Sequence, residues 1–256
     1  MVFFEKATNE PSALGMERLK PTGGNYREPT IIQAIKDDFF DKCYICESKG
    51  LTSINIEHFA PHREIDMIRK YNWSNLFWSC SHCNTIKSSN YDGQLLNCTI
   101  REHNVDTIIK YELNNVANRN EDKIVISSTN NDIRTLNTVE LLNKVYKGTT
   151  DLNKHHSSAI RNKIFDEIFT FKASLDKYIM MDDDYELEVH LTYIKRGLSN
   201  KSPYSAFKRS IIRNIYSFSR RKDIWNPSYS VAQNKKLTKA IKYYFKKFDN
   251  ERNNVS

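Results

Sequence analysis

Residues 30–41, TIIQAIKDDFFD, place Ile31, Ile32, Ile35 and Phe39 at helical spacing, with Thr30 as the expected cap. The stretch CYICESKGL (43–51) has no period and reads as a knuckle between two short extended pieces. NIEHF (55–59) alternates apolar and polar residues, as a short strand does. IDMIRKYNWSNLFWSC (65–80) reads as loop into a second short strand, and CNTIKSSN (83–90) as the start of a helix. VDTIIKYEL (105–113) and KIVISS (123–128) read as further strands.

From Asn137 onward the period becomes helical. TVELLNKVY (138–146), residues 155–181, 204–220 and 231–248 predict four helices; in the second, Ile160, Ile164 and Ile168 form one stripe with Phe165 and Phe169 beside it. Residues 1–30 are rich in Pro, Gly, Asn and Thr and read as an irregular arm. The fold class expected is α+β, with a soft boundary near residue 135: an arm and an α+β unit over 1–135, then a helical, basic part over 136–256.

Composition narrows the class. At 256 residues, 39% hydrophobic and 27% charged, the chain can bury a core without disulfides and reads as a globular protein. Its apolar runs are too short for a bilayer span, so no membrane partner is expected. The N-terminal stretch MVFFEKATNEPSALG lacks the basic start and long apolar run of a signal peptide, which suggests the cytoplasm.

The net charge is +8, and its distribution is uneven. From Lys195 to Arg252, sixteen Lys and Arg face three acids (Asp223, Asp249 and Glu251), a net of +13, so the rest of the chain is net acidic. Around the apolar face of Phe207, Ile211, Ile212, Ile215 and Phe218, Arg209, Arg213, Arg220 and Arg221 are candidate phosphate-binding residues. The same charges also read as a solvated face, and the tail with Tyr243, Tyr244 and Phe245 as a dock for a protein.

Of five cysteines, four form the pairs Cys43/Cys46 and Cys80/Cys83. Two C-x-x-C knuckles can close a tetrahedral structural zinc site, joining segments 33 residues apart; two unrelated pairs is the alternative reading. Cys98 stands alone and reads as a small core residue, His82 as exposed, and Trp73, Phe77 and Trp78 as core around the staple. Between the knuckles lie NIEHFAPH and YNWSNL, and after the second comes Cys-Asn-x-x-Lys.

Over residues 40–90 this order of motifs resembles the HNH endonucleases. The resemblance implies a zinc-stapled ββα-metal core in which His58 is the general base, Asn75 orients it, and Glu57 and Asn84 bind a catalytic Mg²⁺ or Mn²⁺. An oxygen pair of that kind suits a hard ion. His62 and Lys87 are candidate contacts to the nucleic acid, with a loop histidine and a solvated lysine as the bland alternatives. The arm, the Cys43–Glu47 knuckle and NIEHFAPH are similar, more narrowly, to the PtuB-like HNH subunits of the Septu antiphage system. That similarity implies an ABC-type ATPase partner (PtuA-like) in a hetero-oligomer. DNA is the target expected from the family; RNA such as tRNA, or a zinc-built binding module without catalysis, are the alternatives.

Overall fold

The computed structural model describes residues 1–21, 24–63, 65–113, 124–180, 184–220 and 231–248. Its centre is a small ββα unit. Strand β1 (Ile54–His58) pairs antiparallel with β2 (Leu76–Cys80), with Ile54 opposite Cys80 and His58 opposite Leu76. All five residues of β2 are buried, which explains why LFWSC does not alternate. The chain turns directly into a seven-residue helix (Ser81–Lys87) whose N-terminus is capped by Cys80, the Sγ accepting from Cys83 N–H.

The N-terminal segment is a correction to the expected arm. It contains helix α1 (Ser12–Arg18), and Met1, Val2, Phe4 and Leu14 are buried. Phe4 N–H donates to the Cys98 carbonyl at 2.8 Å. Lys6 passes over the Trp73 ring at 4.2 Å and donates to the carbonyls of Trp73 and Leu76, pinning the segment to the start of β2. The next helix, α2 (Pro29–Asp38), starts one residue before the expected cap: Glu28 caps it, Pro29 takes the first helical position, and Thr30 N–H is the donor that Glu28 accepts. Ile31, Ile35 and Phe39 pack with Phe4, Tyr44 and Phe77 in the buried core. Phe77 is fully buried, and such a side chain contributes about 1.5–3 kcal/mol by transfer alone.

Among its described residues, segment 59–75 between the strands is not plain loop. It holds a helical turn, α3 (Met67–Lys70), capped by Asp66, and a 3-10 turn at Trp73–Asn75. The ββα helix Ser81–Lys87 is α4. The expected strand over 105–113 is split. Val105–Ile108 form a helical turn, α5, and only Ile109–Leu113 form β3, paired antiparallel with β4 (Ile124–Ser128). Helix α6 (Ile133–Lys147) begins earlier than Asn137 because Asp132 caps it, accepting from Arg134 and Thr135 N–H. Then come α7 (Asp151–Met180), α8 (Asp184–Gly197), α9 (Ser205–Arg220) and α10 (Val231–Phe248). Along α7, Ile160, Ile164 and Ile168 are buried as expected, Phe165 is half-buried and Phe169 is exposed.

The fold is therefore mixed helix and strand, with helices dominating after β4. One buried cluster contains both Met1 and Phe207, so it crosses residue 135. A second lies among α7, α8, α9 and α10, around Phe171, Leu191, Ile212 and Leu237. Among the described residues no helix is long and apolar enough to cross a membrane.

Candidate metal centre and active site

Each C-x-x-C pair is held in shape by its own backbone. In the first, Cys43 N–H donates to Ser48 O and Glu47 N–H to Cys43 O, both at 2.9 Å; Tyr44 N–H then donates to Trp78 O at 3.0 Å, fastening the knuckle to β2. The second knuckle is the turn from β2 into α4. Their four sulfurs lie within 4.8 Å of one another, all four residues are buried, and Cys46 Sγ is 3.8 Å from Cys80 Sγ. A tetrahedral ion at Zn–S of about 2.3 Å requires sulfurs about 3.8 Å apart. That spacing is far beyond a disulfide bond. The donor set thus fits zinc, and all four positions being filled by sulfur makes the site structural.

The first knuckle is also bolted to the C-terminal helices. Lys42, fully buried, donates to Glu47 at 3.2 Å and to the carbonyls of Asn200 and Ser202 at 2.8 and 2.7 Å. Glu47 accepts in addition from Ser205 Oγ at 3.0 Å and Ala206 N–H at 3.2 Å, at the start of α9, and pairs with the Met1 amine at 3.1 Å. Burial pushes the Glu47 carboxyl up, but Lys42, the Met1 amine and Ala206 N–H together outweigh it and hold it down at about 2. Lys42 is itself lowered to about 8, because for it burial outweighs the attraction of Glu47. Neither residue was singled out from the sequence.

Glu57 departs from its expected role. Alternate residues of a strand face opposite sides, so Glu57 points into the protein where its neighbour His58 does not. One carboxylate oxygen accepts from Tyr44 Oη at 2.5 Å, and the other pairs with Lys87 Nζ. Burial raises the carboxyl above its ordinary range, and Lys87 and Tyr44 pull it back. A catalytic metal ligand needs an open face; Glu57, with 4% of its side chain exposed, has none. Lys87 is corrected with it: its side chain is 1% exposed and donates to the His58 carbonyl at 3.1 Å, so it is a buried strut and does not reach a phosphate. The expected oxygen pair of Glu57 and Asn84 therefore does not fit a hard ion.

His58 ends β1 half-buried. Its Nε2 lies 3.0 Å from the Lys70 carbonyl. A carbonyl can only accept, so Nε2 is the donor in this contact, and in the neutral imidazole the lone pair is then on Nδ1. His62 is buried beside it, ring centroids 4.3 Å apart, and Tyr26 packs edge-on to His58 at 4.9 Å. Asn75 is buried and braces the segment that presents these groups. Its Oδ1 accepts from Ala60 N–H at 2.7 Å, and its Nδ2 donates to the carbonyls of Ala60 and Arg69 at 2.9 and 3.0 Å. Those bonds fix the backbone on both sides of the loop, including the residue before the Lys70 carbonyl that holds His58. Asn84 is half-buried on α4, one turn before Lys87 and on the same helix face.

The basic C-terminal candidates part company. Arg209 is 1% exposed, donates to Leu198 O at 2.9 Å and pairs with Asp106 at 2.5 Å; it is a core residue, not a phosphate ligand. Arg213 is half-buried, with Nη1 3.5 Å from Thr107 O. The side chains of Arg220, Ile215 and Phe218, and all of Arg221, lie outside the described residues. His82, expected on the surface, is buried, with Nε2 2.9 Å from Val145 O, and joins the second knuckle to α6. Cys98 is buried, and burial pushes its thiol up, in keeping with a small core residue. Tyr26 was missed because it sits in a segment without period.

No curated protein and no solved structure matches this chain. Residues 43–90, from the first cysteine of the cluster through both strands and α4, match the family model of the HNH endonucleases.

Proposed function

We propose that the chain is an endonuclease that hydrolyses phosphodiester bonds in nucleic acid, DNA in preference to RNA, with His58 as the general base. The observation that carries this reading is the Nε2–H of His58 held on the Lys70 carbonyl at the end of a strand, inside the segment that matches the HNH family model; in the neutral ring this tautomer makes Nδ1 the basic nitrogen. In the proposed step Nδ1 takes a proton from water, and the water oxygen forms a new bond to phosphorus. The ester P–O bond breaks, and the leaving oxygen takes a proton from solvent. Asn75 acts through the loop it braces, keeping the Lys70 carbonyl where the imidazole needs it. The residues that act in this step are His58 and Asn75; Glu57 is engaged with Lys87 and Tyr44.

The biological setting proposed is cytoplasmic antiphage defence, in a hetero-oligomer with an ABC-type ATPase. Its support is the similarity of the arm, the Cys43–Glu47 knuckle and NIEHFAPH to PtuB-like subunits. The test is single-turnover cutting of plasmid DNA and total RNA in Mg²⁺ or Mn²⁺, with and without an ATPase encoded next to this chain. His58→Ala is expected to slow cutting by about a hundred- to ten-thousand-fold while zinc content and folding persist. Parental rates in a folded His58→Ala protein would remove His58 from the mechanism. Activity that ignores the ATPase would remove the partner and leave the nuclease.

A further inference from the structure

Three arginines lie on the segments around the His58–His62 pair, and they differ in what they hold. Arg63 and Arg69 both face Asp92, at 3.6 and 2.7 Å, and Arg69 also pairs with Asp66 at 3.2 Å. Arg27 is exposed and has no carboxylate partner among the described residues. Its guanidinium carbon lies 5.4 Å from the centroid of the Tyr26 ring, the ring that packs against His58 at 4.9 Å and against His62 at 6.5 Å.

The backbone that carries Arg27 is tied down on three sides. Tyr71 Oη donates to Gly24 O at 2.6 Å, Asn25 N–H donates to the Glu17 carboxylate at 2.7 Å, and Arg27 N–H donates to Asn25 Oδ1 at 3.0 Å. A Cβ at Gly24 would come within 2.0 Å of the Glu17 carbonyl oxygen, so glycine is what lets the segment lie this close to α1. Immediately after Arg27, Glu28 caps α2. The guanidinium is therefore carried on a fixed backbone, exposed to solvent and beside the ring that packs on His58, where an incoming anion can reach it.

We propose that Arg27 binds the phosphate whose ester is cut, donating to a non-bridging oxygen while His58 handles the attacking water. The distances are consistent with this. The separations of 4.9 and 5.4 Å place the guanidinium within about 10 Å of the His58 ring. A water hydrogen-bonded to Nδ1, a phosphorus about 3 Å further on and a charge-assisted N–H···O⁻ bond of about 2.8 Å together span a distance on the order of 10 Å. Arginine suits the role because its planar fork matches two phosphate oxygens, and its charge answers what accumulates on them in the transition state. The inference rests on the reading of His58 as the base.

The experiment is single-turnover cleavage of an oligonucleotide at a position first mapped with the parent protein. The proteins are parent, Arg27→Ala, Arg27→Lys and His58→Ala, each checked for parental zinc content and melting. The substrates are the ordinary phosphodiester and one with a methylphosphonate at the cut position, which removes a charged oxygen. Arg27→Ala is expected to lower the rate on the order of ten- to a hundred-fold, and Arg27→Lys to recover part of it. The methylphosphonate penalty should be smaller in Arg27→Ala than in the parent, because the lost partners are the same pair. If Arg27→Ala cuts within about twofold of the parent, or shows the full methylphosphonate penalty, the assignment of Arg27 fails while the His58 reading stands. If His58→Ala cuts like the parent, the His58 reading fails and this proposal falls with it.

Discussion

Glu57 and Lys87 offer the sharpest test of the reassigned site. Their side chains are 4% and 1% exposed, so neither charge has water to fall back on. Changing Lys87 to Met keeps the stem and removes the charge. It leaves a buried carboxylate with only the Tyr44 hydroxyl as partner, and it frees the His58 carbonyl that Lys87 also holds. Breaking a buried pair on one side costs about 3–5 kcal/mol. For a chain of this length each kcal/mol shifts the melting temperature by roughly 2–4 °C, so a fall of roughly 10 °C is expected. The pair Glu57→Gln with Lys87→Met removes both charges and keeps an acceptor for Tyr44. It should recover much of the loss, giving a coupling energy of about 1–3 kcal/mol in a double-mutant cycle. Thermal unfolding followed by circular dichroism measures all four corners. A metal-ligand role makes the opposite forecast: Glu57→Gln melts like the parent, and excess Mn²⁺ restores its cutting. That result, with Lys87→Met also melting like the parent, would refute the buried-pair account.

Three further outcomes follow from the same geometry. The parent should carry close to one zinc per chain by elemental analysis, and Cys46→Ser should lose both the metal and the folded knuckle, since binding here is folding free energy; a zinc-free, well-folded parent would end the staple. The Glu47 carboxyl, at about 2 against an ordinary 4.5, contributes stability above pH 4.5 that disappears as the pH falls toward 2, about 3 kcal/mol in all. Urea midpoints across that range should fall less steeply in Glu47→Gln, and an unchanged acid limb would count against the network. Arg209→Met should lower stability by about 3 kcal/mol or more and leave the salt dependence of DNA binding unaltered, because its charge faces Asp106 and not solvent; a flattened salt slope in a stable protein would reverse that assignment.

What could be read from the sequence follows from how far each signal reaches along the chain. The knuckles are legible because two-residue spacing by itself brings a pair of sulfurs together, and two such pairs match the donor set of a structural zinc site, which the buried four-sulfur cluster fits. The place of His58 at a strand end is legible because NIEHF alternates. Glu57 was misplaced although the correction was available in the same pentapeptide: adjacency along a strand separates two side chains, and it does not unite them. Helix α8 had a signal too, in the spacing of Leu187, Leu191 and Ile194, weakened by the charged residues between. Arg209 had none, since its partner Asp106 is 103 residues away, and a basic helix looks the same whether its arginine meets solvent or a buried acid.

A pattern runs through these cases. The charged residues that drew attention for their motif position, Glu57 and Lys87, are engaged with each other. So are Lys42 and Glu47, which drew none, and Arg209 is taken up by Asp106. Together these buried pairs tie β1 to α4, the first knuckle to α9, and α9 to α5. That leaves His58 at the end of a strand fixed from both sides: its carbonyl is held by Lys87 and its Nε2 lies against the Lys70 carbonyl. An imidazole so constrained is held in one orientation. The groups packed around that imidazole, His62 and Tyr26, with Arg27 beside the Tyr26 ring, come from two segments, one of which has no helical or strand period at all.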